Sequence, residues 1–334
     1  MKPLSKLALG VAALALSVLP VQAADYTMIL AHSLSDPQHP IYQTFEKIKT
    51  DLEAKSGGRI EVQHLPGSAM GGDREAMESM MLGDVQFSPQ STSAAFQFVP
   101  ELAVFDMPYT LPSDPAKLEK LVNDSAFAGK VKEALDRKGV HFGGILNAGF
   151  RNLTTNVEVH SPDDIAKNSL RIRVQENPIH IALWRALGAA PTPVAFPEIY
   201  GALQQGVVDG QENPYGHILS QRFYEVQKYV VNTRHIFLAN INLINKDWFD
   251  SLPADLQATV DEVLRETTAY QWQLQASLEA KQREELAKHL TIIDLTPEQL
   301  AAFQAKTTDV EKLIRERAGD EIVDALLADV KAAN

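Results

Sequence analysis

Tyr26-Thr-Met-Ile-Leu-Ala31, a helical repeat of Ile41, Phe45, Ile48 and Leu52 that ends at Gly57-Gly58, and Arg59-Ile-Glu-Val-Gln-His-Leu65 together decide the fold. The first run is apolar, short and strand-like. The four apolar residues that follow share one face of a helix, and paired glycines stop it. Ile60 and Val62 then alternate with Arg59, Glu61 and Gln63, the period of a half-buried strand. The unit is β-α-β. Ser35-Asp36-Pro37 is expected to cap its helix, with the proline in the first turn.

The alternation continues outward. Asp73 is expected to cap a helix through Leu82-Gly83, and Val85 to Ser88 reads as the next strand, so a mostly parallel sheet covered by helices is expected. After Gly139 the same logic restarts. Strands are expected at His141 to Leu146, Arg151 to Thr155 and Leu170 to Val174, and helices at Pro178 to Leu187 and Pro197 to Gln205. This second series predicts a second α/β lobe, and His235 to Ile244 reads as a strand returning to the first. Pro253 to Leu290 has no internal proline or glycine. At 1.5 Å per residue it would run roughly 57 Å, more than one small domain is wide, so it is expected to lie across both lobes or to break once.

At the N-terminus, Lys2 and Lys6 precede an apolar run from Leu7 to Leu19, and Val21-Gln22-Ala23 suits signal peptidase, so residues 1–23 read as a cleaved secretory signal peptide. A run from Leu7 to Leu19 is too short to cross a hydrocarbon core of about 30 Å. The periplasm is the expected destination. The chain holds 334 residues with a net charge of −12, and loss of Lys2 and Lys6 takes it to −14. Such a balance leaves no basic surface for a phosphate backbone, so no nucleic-acid partner is expected. The absence of cysteine excludes disulfides, thiolate nucleophiles and Cys-ligated metals.

Enzyme signatures are missing: there is no Gly-x-Ser-x-Gly, no phosphate-loop Gly-Lys-Ser/Thr, no Gly-x-Gly-x-x-Gly and no His-Glu-x-x-His. His32, Asp36 and His39 share a loop and resemble a metal trio, but helix capping by Asp36 and His39 accounts for them better; no metal or cofactor is expected. Asp163-Asp164 after Ser161-Pro162 reads as capping at a helix start. Arg151 and Arg173 stand among apolar residues in strand-like runs. Each either pairs with an internal carboxylate, faces solvent at a sheet edge, or meets a ligand carboxylate through two parallel hydrogen bonds. By themselves Phe196 reads as core and Asn213, before Pro214, as a turn residue.

Leu170-Arg-Ile-Arg-Val174, Ala186-Leu-Gly-Ala-Ala-Pro-Thr-Pro193, Phe196-Pro-Glu-Ile-Tyr-Gly-Ala-Leu-Gln-Gln-Gly-Val-Val-Asp-Gly-Gln-Glu-Asn-Pro214 and Tyr224-Glu-Val-Gln-Lys-Tyr229 resemble the substrate-binding proteins of TRAP transporters. The likeness extends to Leu82-Gly-Asp-Val85, Phe105-Asp-Met-Pro-Tyr109 and Gly149-Phe-Arg151. It implies an α/β, two-lobed periplasmic binding protein with a hinge and a long helix spanning both lobes. The expected lobes are 24–147 with 237–275 and 148–236 with 276–310, followed by a C-terminal helical segment, 311–334.

The resemblance implies that an organic acid anion is enclosed as the lobes close and is passed to TRAP membrane subunits, with no catalysis; enclosed lobes need no partner chain, so a monomer is expected. It makes Arg173 the principal carboxylate partner, Arg151 a second cation, Asn213 an amide donor and Phe196 a ring walling the pocket. By their neighbourhood in the matched segments Tyr215, His32, Gln90 and Ser91 join the site. In sialic-acid-binding members a Glu and an Arg stand where this chain has Ser91 and Ala94, which disfavours sialic acid. Glu176 stands where those members have an Asn. If it faces the pocket it favours a hydroxylated sugar acid; if it only caps the next helix, a C4-dicarboxylate fits as well. The rival readings are a periplasmic hydrolase or lyase acting on a small organic acid, and a sensory module presenting its ligand to a membrane receptor.

Overall fold

The computed structural model describes residues 24–333; the expected signal peptide at 1–23 lies outside the described residues. The chain runs β1 (Tyr26–Ala31), α1 (Pro40–Lys55), β2 (Ile60–Leu65), α2 (Asp73–Leu82), β3 (Gln90–Ser91), α3 (Thr92–Ala95), a 3-10 segment (Pro100–Asp106), α4 (Pro115–Asn123), α5 (Ala126–Arg137) and β4 (Val140–Phe150). It continues with β5 (Asn152–Thr155), α6 (Pro162–Lys167), β6 (Arg171–Val174), α7 (Pro178–Ala186), β7 (Ala190–Pro193), α8 (Ile199–Gln204), β8 (Gly210–Asn213), α9 (Tyr215–Ser220) and β9 (Tyr229–Val231). Last come β10 (Phe237–Asn245), α10 (Lys246–Ser251), α11 (Ala254–Leu286), β11 (Thr291–Ile293), α12 (Pro297–Lys306), α13 (Val310–Ala318) and α14 (Asp320–Ala333).

Two sheets divide these elements. In lobe I, β1 and β2 are parallel, and β10 pairs antiparallel with both β3 and β4. In lobe II the order is β11-β9-β5-β8-β6-β7. The chain crosses between lobes at Arg151, between β4 and β5, and again over 232–236, between β9 and β10. A strand that leaves a lobe and one that returns run in opposite directions. This is why β4 pairs antiparallel with β10, and β5 with β9. The sheets are therefore mixed, not mostly parallel as the alternation suggested. Phe150 still pairs with Phe237 in lobe I, which carries β4 past the expected boundary at 147.

The strand expected over Val85 to Ser88 is reduced to Phe87, which bridges Leu30 on one side and Ile244 on the other. Pro89 follows at once and has no N–H to extend a ladder. The first helix starts later than expected. His39, not Asp36, is its N-cap, accepting from Ile41 N, while Asp36 accepts from Gln38 N in the preceding turn. Gly72 is the N-cap of α2 and leaves Asp73 as the first helical residue. Ser161 and Asp164 form a capping box at the helix start where Asp163-Asp164 was expected to cap.

Helix α11 is unbroken over 33 residues, with Pro253 at its N-cap, and no helix among the described residues is long and apolar enough to cross a membrane. Its first half packs on α1 and β4, where Val260 and Leu264 join Ile41, Phe45, Ile48 and Leu52 in one core. Gln271 both accepts from Asn147 N and donates to Asn147 O, and Trp272 donates to Ile145 O. Its far end enters lobe II, where Leu286 packs with Val230, Phe223 and Tyr215. Helices α13 and α14 return to lobe I against Pro100–Asp106 and α5.

Candidate functional site

The crossings and the ends of β6 and β8 converge on the cleft between the lobes. One cavity there holds about 430 Å³ of empty space and is walled by His32, Gln90 and Ser91 from lobe I and by Arg151, Asn213 and His217. A second, about 660 Å³, is walled by Arg173, Glu176, Arg74 and Gln97. Asp73, Gln175 and Phe196 line both, so the two form one cleft.

Arg173 lies on β6 and is 2% exposed. Its Nε donates to Val194 O at 2.8 Å, while Nη1 is buried with no hydrogen-bond partner among the described residues. Burial, then the charge of Arg151, push its guanidinium down to about 9, against partial relief from Glu212, Asp73 and Glu176. A buried, unsatisfied cation is among the costliest groups a protein can hold. An anion arriving at Nη1 removes that cost.

Arg151 takes the other course left open by the sequence and pairs with an internal carboxylate. Its Nε donates to Glu212 Oε2, and its Nη2 donates to Glu212 Oε1 at 2.8 Å. Glu212, from β8, was not anticipated: Gln211-Glu212-Asn213 is polar throughout and has no alternation to betray a strand. Burial opposes its charge, but Arg151, His180 and His235 outweigh burial and hold the carboxyl well below its usual range. His235 Nε2 lies 3.0 Å from Glu212 Oε2, and His180 Nε2 lies 3.1 Å from Asp106 Oδ1 in lobe I. Asn177 donates to the other oxygen of Asp106, at 2.7 Å, and to Ser93 O. This buried network ties the crossing segments to each other and to both lobes.

The remaining expected residues divide. Asn213 is buried at the cavity wall, with Nδ2 donating to Gln211 Oε1 at 2.6 Å. Phe196 is a half-buried wall whose ring meets His217 edge-on at 5.6 Å. Ser91 Oγ caps α3 and accepts from Gln175 across the cleft at 2.9 Å. Glu176 is exposed at the rim; Asn177, not Glu176, caps α7. Tyr215 is a correction. Its hydroxyl donates to Asn232 Oδ1 at 2.5 Å and its ring packs into the lobe II core, so it lines neither cavity. Two residues on, His217 takes that place, the turn of α9 having carried Tyr215 away.

His39 and His217 meet across the cleft, Nε2 to Nδ1 at 3.4 Å. Gly216 permits the approach, since a Cβ there would lie 3.3 Å from Gln282 and 3.4 Å from His39. Burial lowers His39 to about 4; burial, then His39 and Arg151, hold His217 well below its ordinary value. Burial, then His64 and His39, lower His32 to about 3. All three rings are neutral at pH 7. His32 turns to His64 and His39 to His217, and among the described residues no group of three acids or histidines is placed to hold a metal ion.

Residues 30–317 match the family model described as bacterial extracellular solute-binding protein, family 7. The chain belongs to that family. It is 32% identical to the C4-dicarboxylate-binding periplasmic protein DctP of Rhodobacter capsulatus, over 94% of both chains. It is 30% identical to the ectoine/5-hydroxyectoine-binding periplasmic protein UehA of Ruegeria pomeroyi, over 93% of this chain and 91% of that one. Among solved structures, the sugar acid binding protein of Advenella mimigardefordensis, in complex with galactonate, superposes with a TM-score of 0.88 at 25% identity, covering 94% of this chain and all of that one. A TRAP periplasmic solute-binding protein of Sulfurospirillum deleyianum with bound succinate gives 0.85 at 28% identity, covering 93% of this chain and all of that one. The two-lobed α/β architecture of a TRAP solute-binding protein is thereby established.

Proposed function

We propose that this protein is a periplasmic solute receptor that encloses an organic acid anion between its lobes and delivers it, chemically unchanged, to TRAP membrane subunits. The observation that carries the reading is Arg173: a guanidinium buried in the cleft wall with an unpartnered Nη1, in a chain whose net charge offers anions no other welcome. Glu212 neutralises Arg151 and Glu78 pairs with Arg74, so among the described cleft residues Arg173 is the cation left to answer a ligand carboxylate. Closure drives out water and strengthens that pair, and only a ligand with higher affinity for the closed state shifts the lobes. Asn213 and Phe196 supply an amide donor and an apolar wall, and Glu176 at the rim accepts from ligand hydroxyls. The relatives' bound acids, galactonate and succinate, fit the same reading. The enclosed cleft needs no partner chain, so a monomer suffices.

The test is a thermal-shift and calorimetric screen of the chain from Ala24 onward against aldonates, hexuronates, C4-dicarboxylates, keto acids and neutral sugars. Ligands that bind only the folded state raise the melting temperature by mass action. Stabilisation by acids and not by neutral sugars, with the acid recovered unaltered, is expected. Stabilisation by neutral sugars alone, or turnover of the acid, overturns the proposal.

A further inference from the structure

We propose that His32, on the wall of the cavity, selects for an acid that carries hydroxyl groups, because a relay from Glu46 through His64 leaves the second nitrogen of its ring as a bare hydrogen-bond acceptor. This deepens the receptor reading and rests on it.

The relay can be followed proton by proton. Glu46 Oε1 lies 2.7 Å from His64 Nδ1. An ionised carboxylate only accepts, so the proton of the neutral His64 ring sits on Nδ1 and its Nε2 is a lone pair. His64 Nε2 lies 2.6 Å from His32 Nε2, and two ring nitrogens at that distance need one proton between them. Since His64 has none to give there, His32 Nε2 donates. A neutral His32 is then left with a bare Nδ1. That nitrogen is buried, has no partner among the described residues, and belongs to a ring 4% exposed on the wall of the cavity. Burial lowers His64 as well, ahead of the opposing pull of Glu46, which keeps the ring neutral at pH 7.5.

A second acceptor stands on the same wall. Gln90 Nε2 donates to Asp73 O at 2.7 Å and to Ser88 Oγ at 2.8 Å. A backbone carbonyl only accepts, so the amide cannot be turned round, and Gln90 Oε1 remains a buried acceptor without a partner. Buried orphan acceptors cost free energy until a donor reaches them. An ionised dicarboxylate has no donor and would set oxygen against these lone pairs. A ligand hydroxyl donates. The cleft is therefore matched to a hydroxy acid: carboxylate at Arg173, hydroxyls on His32 and Gln90.

The experiment measures D-erythronate, D-galactonate and succinate by calorimetry at pH 7.5 on the chain from Ala24, its His32→Phe variant and its His32→Gln variant. Nitrogen NMR of labelled wild-type protein reads which ring nitrogen of His32 carries the proton. A hydroxy acid is expected to bind about tenfold or more tightly than succinate, the factor that one satisfied acceptor supplies. His32→Phe should reduce that preference about tenfold, and His32→Gln, whose amide oxygen still accepts, should restore part of it. The spectrum should show a bare Nδ1, a result that does not depend on any variant folding. Preference for succinate, or a proton on Nδ1 of His32, overturns the proposal and leaves the receptor reading in place. Binding of no acid overturns both.

Discussion

Replacing Arg173 by methionine should leave the ligand-free protein about as stable as before while destroying its function. The guanidinium is 2% exposed, makes one hydrogen bond through Nε to Val194 O, and leaves Nη1 unsatisfied. Arg151 repels it, whereas of the attracting carboxylates Glu212 is committed to Arg151, Glu176 stands exposed at the rim, and Asp73, in the cleft wall, is raised by burial. Methionine fills much of the same volume, removes the desolvation cost, and sacrifices one neutral-acceptor bond. Exchanging buried charge for apolar side chains of similar volume has stabilised proteins by about 1 to 4 kcal/mol. Against this stands a loss of about 1.5 to 3 kcal/mol for the charge-assisted bond to Val194. The balance in the empty protein is centred near zero, within about 2 kcal/mol either way. In the loaded protein, the same substitution removes the salt bridge to the ligand and costs the whole anchoring interaction. Urea melts with and without ligand read both quantities. An unchanged or higher midpoint without ligand, and no ligand-dependent shift, is expected. Arg173→Lys should fold normally and bind about 10- to 150-fold more weakly, since a point charge loses the bidentate geometry. A large loss of ligand-free stability in Arg173→Met, or wild-type affinity in Arg173→Lys, would refute the reasoning.

Glu212→Gln should be more damaging than any substitution at the ligand contacts. It leaves Arg151 buried without its counter-charge, a change that costs about 3 to 5 kcal/mol, and chemical denaturation should show it whether or not ligand is present. Acid should destabilise the protein before its carboxylates titrate. The folded values of His32, His39 and His217 lie below the ordinary value of 6.5, so the unfolded chain binds more protons below that pH. Stability is then present above pH 6.5 and falls as pH drops from there toward about 4; a flat melting temperature between pH 7 and 5 would contradict the burial of these rings. Gly210→Ala should unfold or severely weaken lobe II, since a Cβ there would sit 2.3 Å from Thr154 O; wild-type melting would mean that β5 and β8 are not paired as described. Glu176→Gln should change the ranking among hydroxy acids while leaving the melting temperature of the empty protein within about 1 °C, as expected of an exposed rim residue; an unaltered ranking would remove Glu176 from the site.

The lobes and the long helix were legible because their signals are local. Ile41, Phe45, Ile48 and Leu52 state a helix face without reference to anything distant, and Pro253 marks the start of α11. What stayed illegible depends on partners far along the chain. Nothing near Arg151 in sequence reveals that Glu212 will meet it, nor does anything near His32 reveal His64. The direction of the strands was misjudged because alternating elements suggest parallel crossovers, whereas β4 and β10 are exit and return. Tyr215 and His217 differ by two residues on α9, and only the packing of α9 against α11 and β4 settles which faces the cavity. Arg173 could be singled out because an arginine between Ile172 and Val174 is conspicuous in any strand.

The pairing of β4 with β10 also sets an order of events during folding. The strand that completes the lobe I sheet emerges only after the whole of 151–236 has been made, and Phe87 has no second neighbour until Ile244 arrives. Loop closure over such a distance must be met before the pairing repays it, so the first lobe cannot finish early. A nascent chain stopped short of residue 237 is left with an open sheet edge at β4. For a chain exported in extended form, as residues 1–23 lead one to expect, late completion is an asset: the same exit-and-return wiring that makes the hinge keeps the chain threadable until its last third is released.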